Sequence, residues 1–234
     1  MKSNDLKYKT FQKGFFDVLP LLIPVLPFGI IYGAIGIELG FGPFVTYGTS
    51  IIIFSGASQI IFLQLLSAGA SPLVAIASSS VVSARHLLYG AVFTQYLNNL
   101  SLPIKLFLSY ILTDQSFAVS YEFFKKNKNN KYKYYHLIGS GMTLWVVWQI
   151  STIVGIFLGS IVPEELGLSF AIPLTFLALL INYFRKFDHL IIIILSGIMA
   201  LFFYELPLKI YIILSSGISL IIASIIVNFK NKIL

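Results

Sequence analysis

Long apolar stretches alternate with short polar segments along the whole chain. They are apolar on every side rather than alternating with a period of two, so the pattern predicts helices rather than strands. Most are long enough to cross the hydrocarbon core of a bilayer, which takes about 20 residues. The stretches lie at residues 18–37, 44–67, 72–97, 104–123, 136–161, 166–182, 189–204 and 208–227. The sequence therefore predicts an all-α, polytopic integral membrane protein with about 8 (7–8) transmembrane helices.

Composition supports this prediction and excludes several other classes. Of the 234 residues, 57% are hydrophobic and 11% are charged, whereas a soluble domain carries about 25% charged residues. The absence of cysteine excludes disulfides, thiolate catalysis and cysteine-based metal sites. The histidines are dispersed, and the sequence signatures of zinc peptidases, serine hydrolases and phosphate-binding loops are missing. We therefore predict that the chain is not an enzyme and holds no metal or cofactor.

Basic residues predict the orientation of the helices. Of the 16 lysines and arginines, 13 fall in four segments: the N-terminus, the loop 124–135, the loop 183–188 and the C-terminus. Eight crossings place these four segments on one side, and the positive-inside rule makes that side cytoplasmic. We therefore predict an N-terminal cytoplasmic or interfacial segment (1–17), a single transmembrane domain (18–227) and a cytoplasmic C-terminal tail (228–234).

Two charged residues fall near the middle of predicted spans and are the first candidates for function. Arg85 lies near the middle of 72–97, and Asp114 lies about halfway through 104–123. A charge at that depth is costly, by about 2.5–3.5 kcal/mol on insertion scales, so such residues pair or carry function. We predict an Arg85–Asp114 ion pair. It either fastens two helices, or it lets Arg85 bind a substrate carboxylate while Asp114 exchanges a proton.

Small polar residues interrupt two of the predicted spans. The run Ser55–Gln59 lies within 44–67, and the run Ser78–His86 lies within 72–97. Such runs suit helices that are broken at mid-membrane, where the N-terminus of a half-helix attracts anionic groups. The alternative is that they only allow close helix packing. The predicted substrate-binding residues are Arg85, Ser55, Gly56, Ser58, Gln59 and Ser83, and the predicted proton-coupling residues are Asp114 and His86.

Other small and polar residues in the spans are best explained by packing. Gly29 with Gly33, and Gly155 with Gly159, have the spacing that allows two helix backbones to approach each other closely. Gln149, near the middle of its span, is typical of a residue that bonds one helix to another.

The chain resembles the AzlC family, the large subunit of bacterial branched-chain amino acid exporters. The resemblance rests on an ordered series of segments rather than on one motif. They are PVLPFGIIYGAIGIELGFGP (24–43), FSGASQIIFLQLLSAGASP (54–72), SARHLLYG (83–90), LTDQSFAVS (112–120), LWVVWQISTIVGIFLGSIVP (144–163) and LGLSFAIPLTFLALLI (166–181). Two positions differ from the usual family pattern. Ser83 stands in place of asparagine and Gln115 in place of glutamate.

The resemblance implies export of leucine, isoleucine, valine or other small hydrophobic amino acids, driven by the proton gradient. It also implies a small membrane partner of the AzlD type. Two other functions stay open on the sequence alone: a channel or carrier for another organic anion, and a non-transporting membrane scaffold or sensor. Their signatures differ, because a channel gives steady conductance, whereas a scaffold gives no flux at all.

Overall fold

The computed structural model describes residues 3–159, 187–206 and 211–233, and these residues are helical with short connections. A single 3₁₀ turn, Leu19–Leu21, joins the first two helices. In chain order the helices are α1 (Ser3–Val18), α2 (Leu22–Glu38), α3 (Gly42–Ile52), α4 (Gly56–Ser67), α5 (Pro72–Ser83), α6 (Arg85–Leu97), α7 (Leu102–Tyr110), α8 (Asp114–Lys126), α9 (Tyr134–Gly159), α10 (Phe187–Phe202) and α11 (Tyr211–Ile233). The predicted spans at 18–37 and 136–161 correspond to α2 and α9. The prediction at 166–182 lies outside the described residues.

Two of the described stretches are long and apolar enough to cross a membrane, and these are Asn4–Glu38 and Tyr134–Gly159. The first contains α1, the 3₁₀ turn and α2. Pro20 stands at the start of the 3₁₀ turn, a position that needs no backbone N–H and therefore tolerates proline. Pro27 lies inside α2, where it has no backbone N–H to donate to the preceding turn.

Helix α2 packs against α9 at backbone distance, and glycines make this possible. A methyl group added at Gly33 would overlap the carbonyl oxygen of Thr152, and one added at Gly155 would overlap that of Ile30. Gly29 and Gly159 face Ser151 and Ala34 in the same way. The prediction that these glycines serve close helix packing is confirmed.

Three of the predicted spans are each divided into two half-helices. The divisions fall at residues 53–55, at Ala84 and at 111–113. Each half-helix has 9 to 13 residues, which at about 1.5 Å per residue is roughly half the thickness of the hydrocarbon core. The breaks in 44–67 and 72–97 agree with the polar runs that interrupt these spans. The break in 104–123 was not predicted.

The chain falls into two compact units. The first contains residues 1–59 and 82–169, and the second contains residues 60–81 and 170–234. In the second unit α10 and α11 pack against each other, and Leu65, Ala70, Val74 and Ala75 form a small apolar cluster. The two glycine-lined helices belong to the first unit, as do the three breaks.

Adding one methyl group between α2 and α9 tests the packing. We expect Gly155→Ala to lower the free energy of unfolding by about 1–3 kcal/mol, because the new methyl overlaps the backbone of α2. The matched control is Gly48→Ala in α3, since a methyl at Gly48 meets no atom within 4 Å. Melting temperatures of the two purified variants in detergent measure the difference. Equal melting temperatures would contradict this account of the packing.

Candidate functional site

The break between α3 and α4 leaves backbone carbonyls at the end of α3 that need hydrogen-bond donors. Side chains from three other helices supply them. The Ser50 carbonyl accepts from the amide nitrogens of Gln59, at 3.2 Å, and Gln149, at 3.3 Å. The Ile51 carbonyl accepts from the Tyr110 hydroxyl at 2.5 Å. The open backbone at this break is therefore held by α4, α7 and α9, and the predicted interhelical role of Gln149 is confirmed.

A chain of serine hydroxyls links the start of α4 to the end of α5. Ser55 Oγ lies 3.2 Å from Ser58 Oγ, and Ser58 Oγ lies 2.6 Å from Ser83 Oγ. The Ser55 carbonyl accepts the first hydrogen bond of α4 from the Gln59 backbone N–H at 2.9 Å. The structure thus joins the break at 53–55 with the break at Ala84, and it brings three predicted substrate-binding residues together.

The predicted ion pair between Arg85 and Asp114 is present. The Arg85 guanidinium lies 3.2 Å from the Asp114 carboxylate, and the two side chains are 40% and 39% exposed. The Tyr89 hydroxyl donates to the other carboxylate oxygen at 2.6 Å. His86 lies beside this group, with its ring 5.9 Å from that of Tyr89. Arg85 is the first residue of α6 and Asp114 the first of α8, so the pair joins the starts of two half-helices.

The start of α8 is built by a local motif in the sequence. Thr113 has an extended backbone and caps the helix, while its own backbone N–H donates to Ser116 Oγ at 2.8 Å. This reciprocal arrangement is a capping box, which fixes where a helix begins. The signal for the third break is therefore Thr113 followed three residues later by Ser116, in a span that otherwise reads as continuous.

Aromatic side chains cover the start of α4. The Trp148 ring lies 5.7 Å from that of Phe28 and 5.9 Å from that of Tyr32. A methyl group added at Gly56 would meet Phe28 and Trp148. Glycine is therefore needed at this position, where the backbone of α4 begins directly beneath an apolar wall.

The site offers both donors and acceptors to a ligand. Within the described part of the chain, Arg85 Nε and Trp148 Nε1 are buried donors with no acceptor, and the amide oxygens of Gln59 and Gln149 are buried acceptors with no donor. Buried polar atoms without partners are uncommon in native proteins, and such atoms call for an explanation. Arg85 Nε is thus a buried donor at the ion pair, and the Gln59 amide oxygen is a buried acceptor beside the break between α3 and α4.

A cavity of about 230 Å³ lies elsewhere in the same unit, among α6, α7 and the first turns of α9. Its lining is mostly apolar, with Lys105, Asn98 and Ser109 among its polar members. None of the predicted site residues lines it. The polar residues at the helix breaks and this cavity are therefore separate features of the unit.

A second polar cluster was not predicted from the sequence. His136, at the start of α9, is fully buried. Its ring nitrogens lie 3.1 Å from Asp17 Oδ2 and 3.0 Å from Ser120 Oγ. The available signal was weak, since it consisted of one histidine directly after a basic loop and one aspartate at the start of an apolar stretch.

Comparison with known proteins places these features in a family. The sequence pattern described as "AzlC protein" matches residues 20–162. The chain is 30% identical over 183 residues to "Inner membrane protein YgaZ" of Escherichia coli (strain K12), covering 76% of this chain and 74% of the relative. It is 29% identical over 206 residues to an uncharacterized membrane protein of Archaeoglobus fulgidus, covering 86% and 88% of the two chains.

A third relative has a name that states a role. The chain is 25% identical over 180 residues to "Branched-chain amino acid transport protein AzlC" of Bacillus subtilis (strain 168), covering 76% of this chain and 70% of the relative. No solved structure shows significant similarity to the chain.

The predicted all-α membrane protein is confirmed, since the described residues are helical and the relatives are membrane proteins. The number of crossings and the orientation of the termini stay predictions.

A double-mutant cycle tests whether Arg85 and Asp114 depend on each other. We expect Arg85→Met alone to destabilise the protein more than Arg85→Met with Asp114→Asn, because the single change leaves a charge unpaired in a span. The coupling should be about 1 kcal/mol, since both side chains are partly exposed. The control pair is Glu122 and Lys126, which lie 3.8 Å apart on the exposed face of α8. Melting temperatures that add in both cycles would show that the Arg85–Asp114 pair has no energetic role.

Proposed function

The chain belongs to the AzlC family, and on this premise we propose that it is a secondary transporter subunit that exports branched-chain or other small hydrophobic amino acids, driven by the proton gradient. The family and the Bacillus subtilis relative support a membrane transport role. The observation that carries the proposal is the Arg85–Asp114 pair, at which two half-helices begin. An amino acid carries the same two charges as this pair.

Arg85 is suited to bind the carboxylate of the substrate. Its Nη2 atom faces Asp114, whereas its buried Nε has no acceptor within the described residues. A guanidinium binds a carboxylate through parallel N–H groups. Ser83, two residues before Arg85, contacts Ser58 in the first turn of α4, the end of that helix that carries partial positive charge.

Asp114 is suited to bind the ammonium group of the same molecule. An amino acid that enters between Arg85 and Asp114 replaces one ion pair by two, with its carboxylate on Arg85 and its ammonium on Asp114. Aliphatic side chains then need an apolar surface. Phe28, Tyr32 and Trp148 provide one over Gly56, next to Ser55.

This arrangement determines whether protons and amino acids move in the same direction or in opposite directions. A proton and an ammonium group compete for the Asp114 carboxylate, so each lowers the affinity for the other, by linkage. A carrier whose two ligands compete moves them in opposite directions. Protons that enter down their gradient therefore drive amino acids out of the cell. Arg85 stays charged throughout, because a guanidinium does not lose its proton in proteins.

We also propose that the chain works with a small membrane subunit of the AzlD type. This part of the proposal rests on the resemblance to the family. The partner is therefore co-expressed in the experiment below, and omission of the partner is one of its controls.

Neutralising Asp114 tests the coupling. We expect Asp114→Asn to lower proton-driven leucine efflux by about 10-fold or more, because an amide neither takes up a proton nor pairs with an ammonium group. Glu122→Gln is the matched control, since Glu122 lies on the same helix but is 59% exposed. The measurement is efflux of labelled leucine from vesicles with an imposed pH gradient, with the partner present. Unchanged efflux in Asp114→Asn would remove Asp114 from the mechanism.

The same assay separates the other functions. A saturable leucine flux that collapses when an uncoupler is added supports the proposal. Conductance that never saturates would point to a channel. No flux of any amino acid from correctly inserted protein, combined with loss of assembly in Arg85 variants, would point to a scaffold.

A further inference from the structure

Helices α6 and α8 run side by side in the same direction. At their starts, the Arg85 guanidinium and the Tyr89 hydroxyl both contact the Asp114 carboxylate, at 3.2 and 2.6 Å. Farther along both helices, the ring of Phe93 lies 4.9 Å from the ring of Phe124. The contacts follow the two helices in the same order, so α6 and α8 are parallel.

This direction conflicts with a straight crossing at 104–123. Straight crossings at 72–97 and 104–123 would be antiparallel, because only residues 98–103 join them. Helix α8, the second half of the later span, would then run away from α6 and share no length with it. The observed contacts instead require the chain to reverse its direction at the break at 111–113.

Helix α7 begins near the place where α8 ends. The Lys105 ammonium donates to the Asn98 carbonyl at 2.8 Å, so α7 starts beside the end of α6. Lys133, in the basic loop that follows α8, places its ammonium 5.1 Å from the centre of the Tyr96 ring, at the same end of α6. The loop 98–101 and the basic loop therefore lie close to each other.

The other end of α7 lies deep in the unit. The Tyr110 hydroxyl, in the last turn of α7, accepts a hydrogen bond at 2.8 Å from Trp145 Nε1, near the middle of α9. Helix α8 then returns toward the start of α9, where Ser120 Oγ lies 3.0 Å from His136 Nδ1. Helix α7 thus rises along α9, and α8 descends along it.

The turn between α7 and α8 is buried in protein. Ile111, Leu112 and Thr113 are at most 9% exposed. Ser116 Oγ accepts from the Thr113 backbone N–H at 2.8 Å and donates to the Ile111 carbonyl at 3.1 Å. A methyl group added at Gly141 of α9 would lie 2.8 Å from that carbonyl oxygen. Non-helical backbone is tolerated at membrane depth where it is buried in this way.

We propose that α7 and α8 form a re-entrant hairpin, which enters and leaves the membrane on the side of the basic loop and carries Asp114 at its tip. Helix α7 has 9 residues and rises by about 14 Å, so the tip reaches roughly the middle of the hydrocarbon core. Arg85 shares this depth, because α6 and α8 start together and descend together. The inference goes beyond the proposed function, and it does not require that the chain carry leucine.

The hairpin and the straight crossing place the loop 98–101 on opposite sides of the membrane. The chain contains no cysteine, so a single introduced cysteine reports only its own position. Asn99→Cys and Ser101→Cys introduce one in this loop, and Lys128→Cys marks the side of the basic loop. All three positions are exposed. The measurement is labelling by a charged maleimide, applied to intact cells and to inside-out vesicles.

A fourth variant, Pro43→Cys, marks the opposite side. Gly14 of α1 faces His136 at the start of α9, and Gly33 of α2 faces Thr152 farther along. The stretch that contains α1 and α2 therefore runs in the same direction as α9, away from the basic loop. Pro43 follows the end of this stretch and is exposed.

We expect Asn99→Cys and Ser101→Cys to react in the same preparation as Lys128→Cys and about 10-fold or more slowly in the other, because a charged reagent crosses hydrocarbon poorly. Pro43→Cys should show the reverse preference. Reaction of both loop variants in the same preparation as Pro43→Cys would establish a straight crossing and overturn the hairpin.

A second measurement separates a re-entrant α7 from a helix that lies on the membrane surface. Ser109 is exposed and lies about 12 Å deeper than Ser101 in a re-entrant α7. A fluorescent maleimide on Ser109→Cys should be quenched most by lipids with a nitroxide near the end of the acyl chain. The same probe on Ser101→Cys should be quenched most by a headgroup nitroxide.

Equal quenching profiles at the two positions would show that α7 lies on the surface, and would reject the hairpin. Neither measurement needs transport. Loss of the leucine assignment would therefore leave the hairpin intact, and a straight crossing at 104–123 would leave leucine export intact.

Discussion

The structure of the first unit depends on one constraint, which is that backbone groups released by a broken helix need hydrogen-bond partners where water is scarce. The end of α3 shows how the chain meets this constraint. Ser50 and Ile51 have lost their helical donors, and Gln59, Gln149 and Tyr110 replace them. Without these side chains, the break at 53–55 would leave bare carbonyls in an apolar environment.

The unbroken helix α9 makes the broken ones possible. It lies at backbone distance from α2 because of glycines on both helices, and its side chains reach several breaks from there. Gln149 bonds to the end of α3, and Trp148 stacks on Tyr32 of α2. Trp145 Nε1 of α9 donates to the Tyr110 hydroxyl at 2.8 Å, and this bond attaches the end of α7 to α9. Two closely packed helices therefore hold the ends of α3 and α7, where two of the breaks begin.

The sequence was most informative at polar and charged residues that lie within apolar, membrane-spanning stretches. Charges at Arg85 and Asp114 and the serines at 55, 58 and 83 stand out in apolar stretches. In the structure the charges form an ion pair and the serines form a chain of hydroxyls. The break before Asp114 was missed because the hydrophobic pattern runs through it. A four-residue capping motif decides it instead. The packing role of the glycines in α2 and α9 was predictable from their spacing, but the pairing of these two helices was not.

Partnerships between distant helices were not predictable from one sequence. Asp17 and His136 are 119 positions apart, and each taken alone has an ordinary explanation at a membrane edge. Only the path of the chain reveals that α1 brings the carboxylate to a buried imidazole. The same applies to Gln149, whose amide bonds to a carbonyl 99 positions away. Such pairs depend on tertiary geometry, which hydrophobic periodicity does not encode.

The charges at the starts of α6 and α8 interact in opposite ways with the dipoles of their helices. A carboxylate at a helix N-terminus is stabilised by the helix dipole, whereas a guanidinium there is opposed by it. Asp114 therefore has three favourable interactions while charged: the start of α8, Arg85 and the Tyr89 hydroxyl. Protonation weakens all three at once and leaves Arg85 against the dipole of α6 without its counter-charge. In the proposed mechanism the ammonium group of the substrate takes the place of that proton on Asp114 while its carboxylate binds Arg85, so proton and substrate exclude each other at this pair.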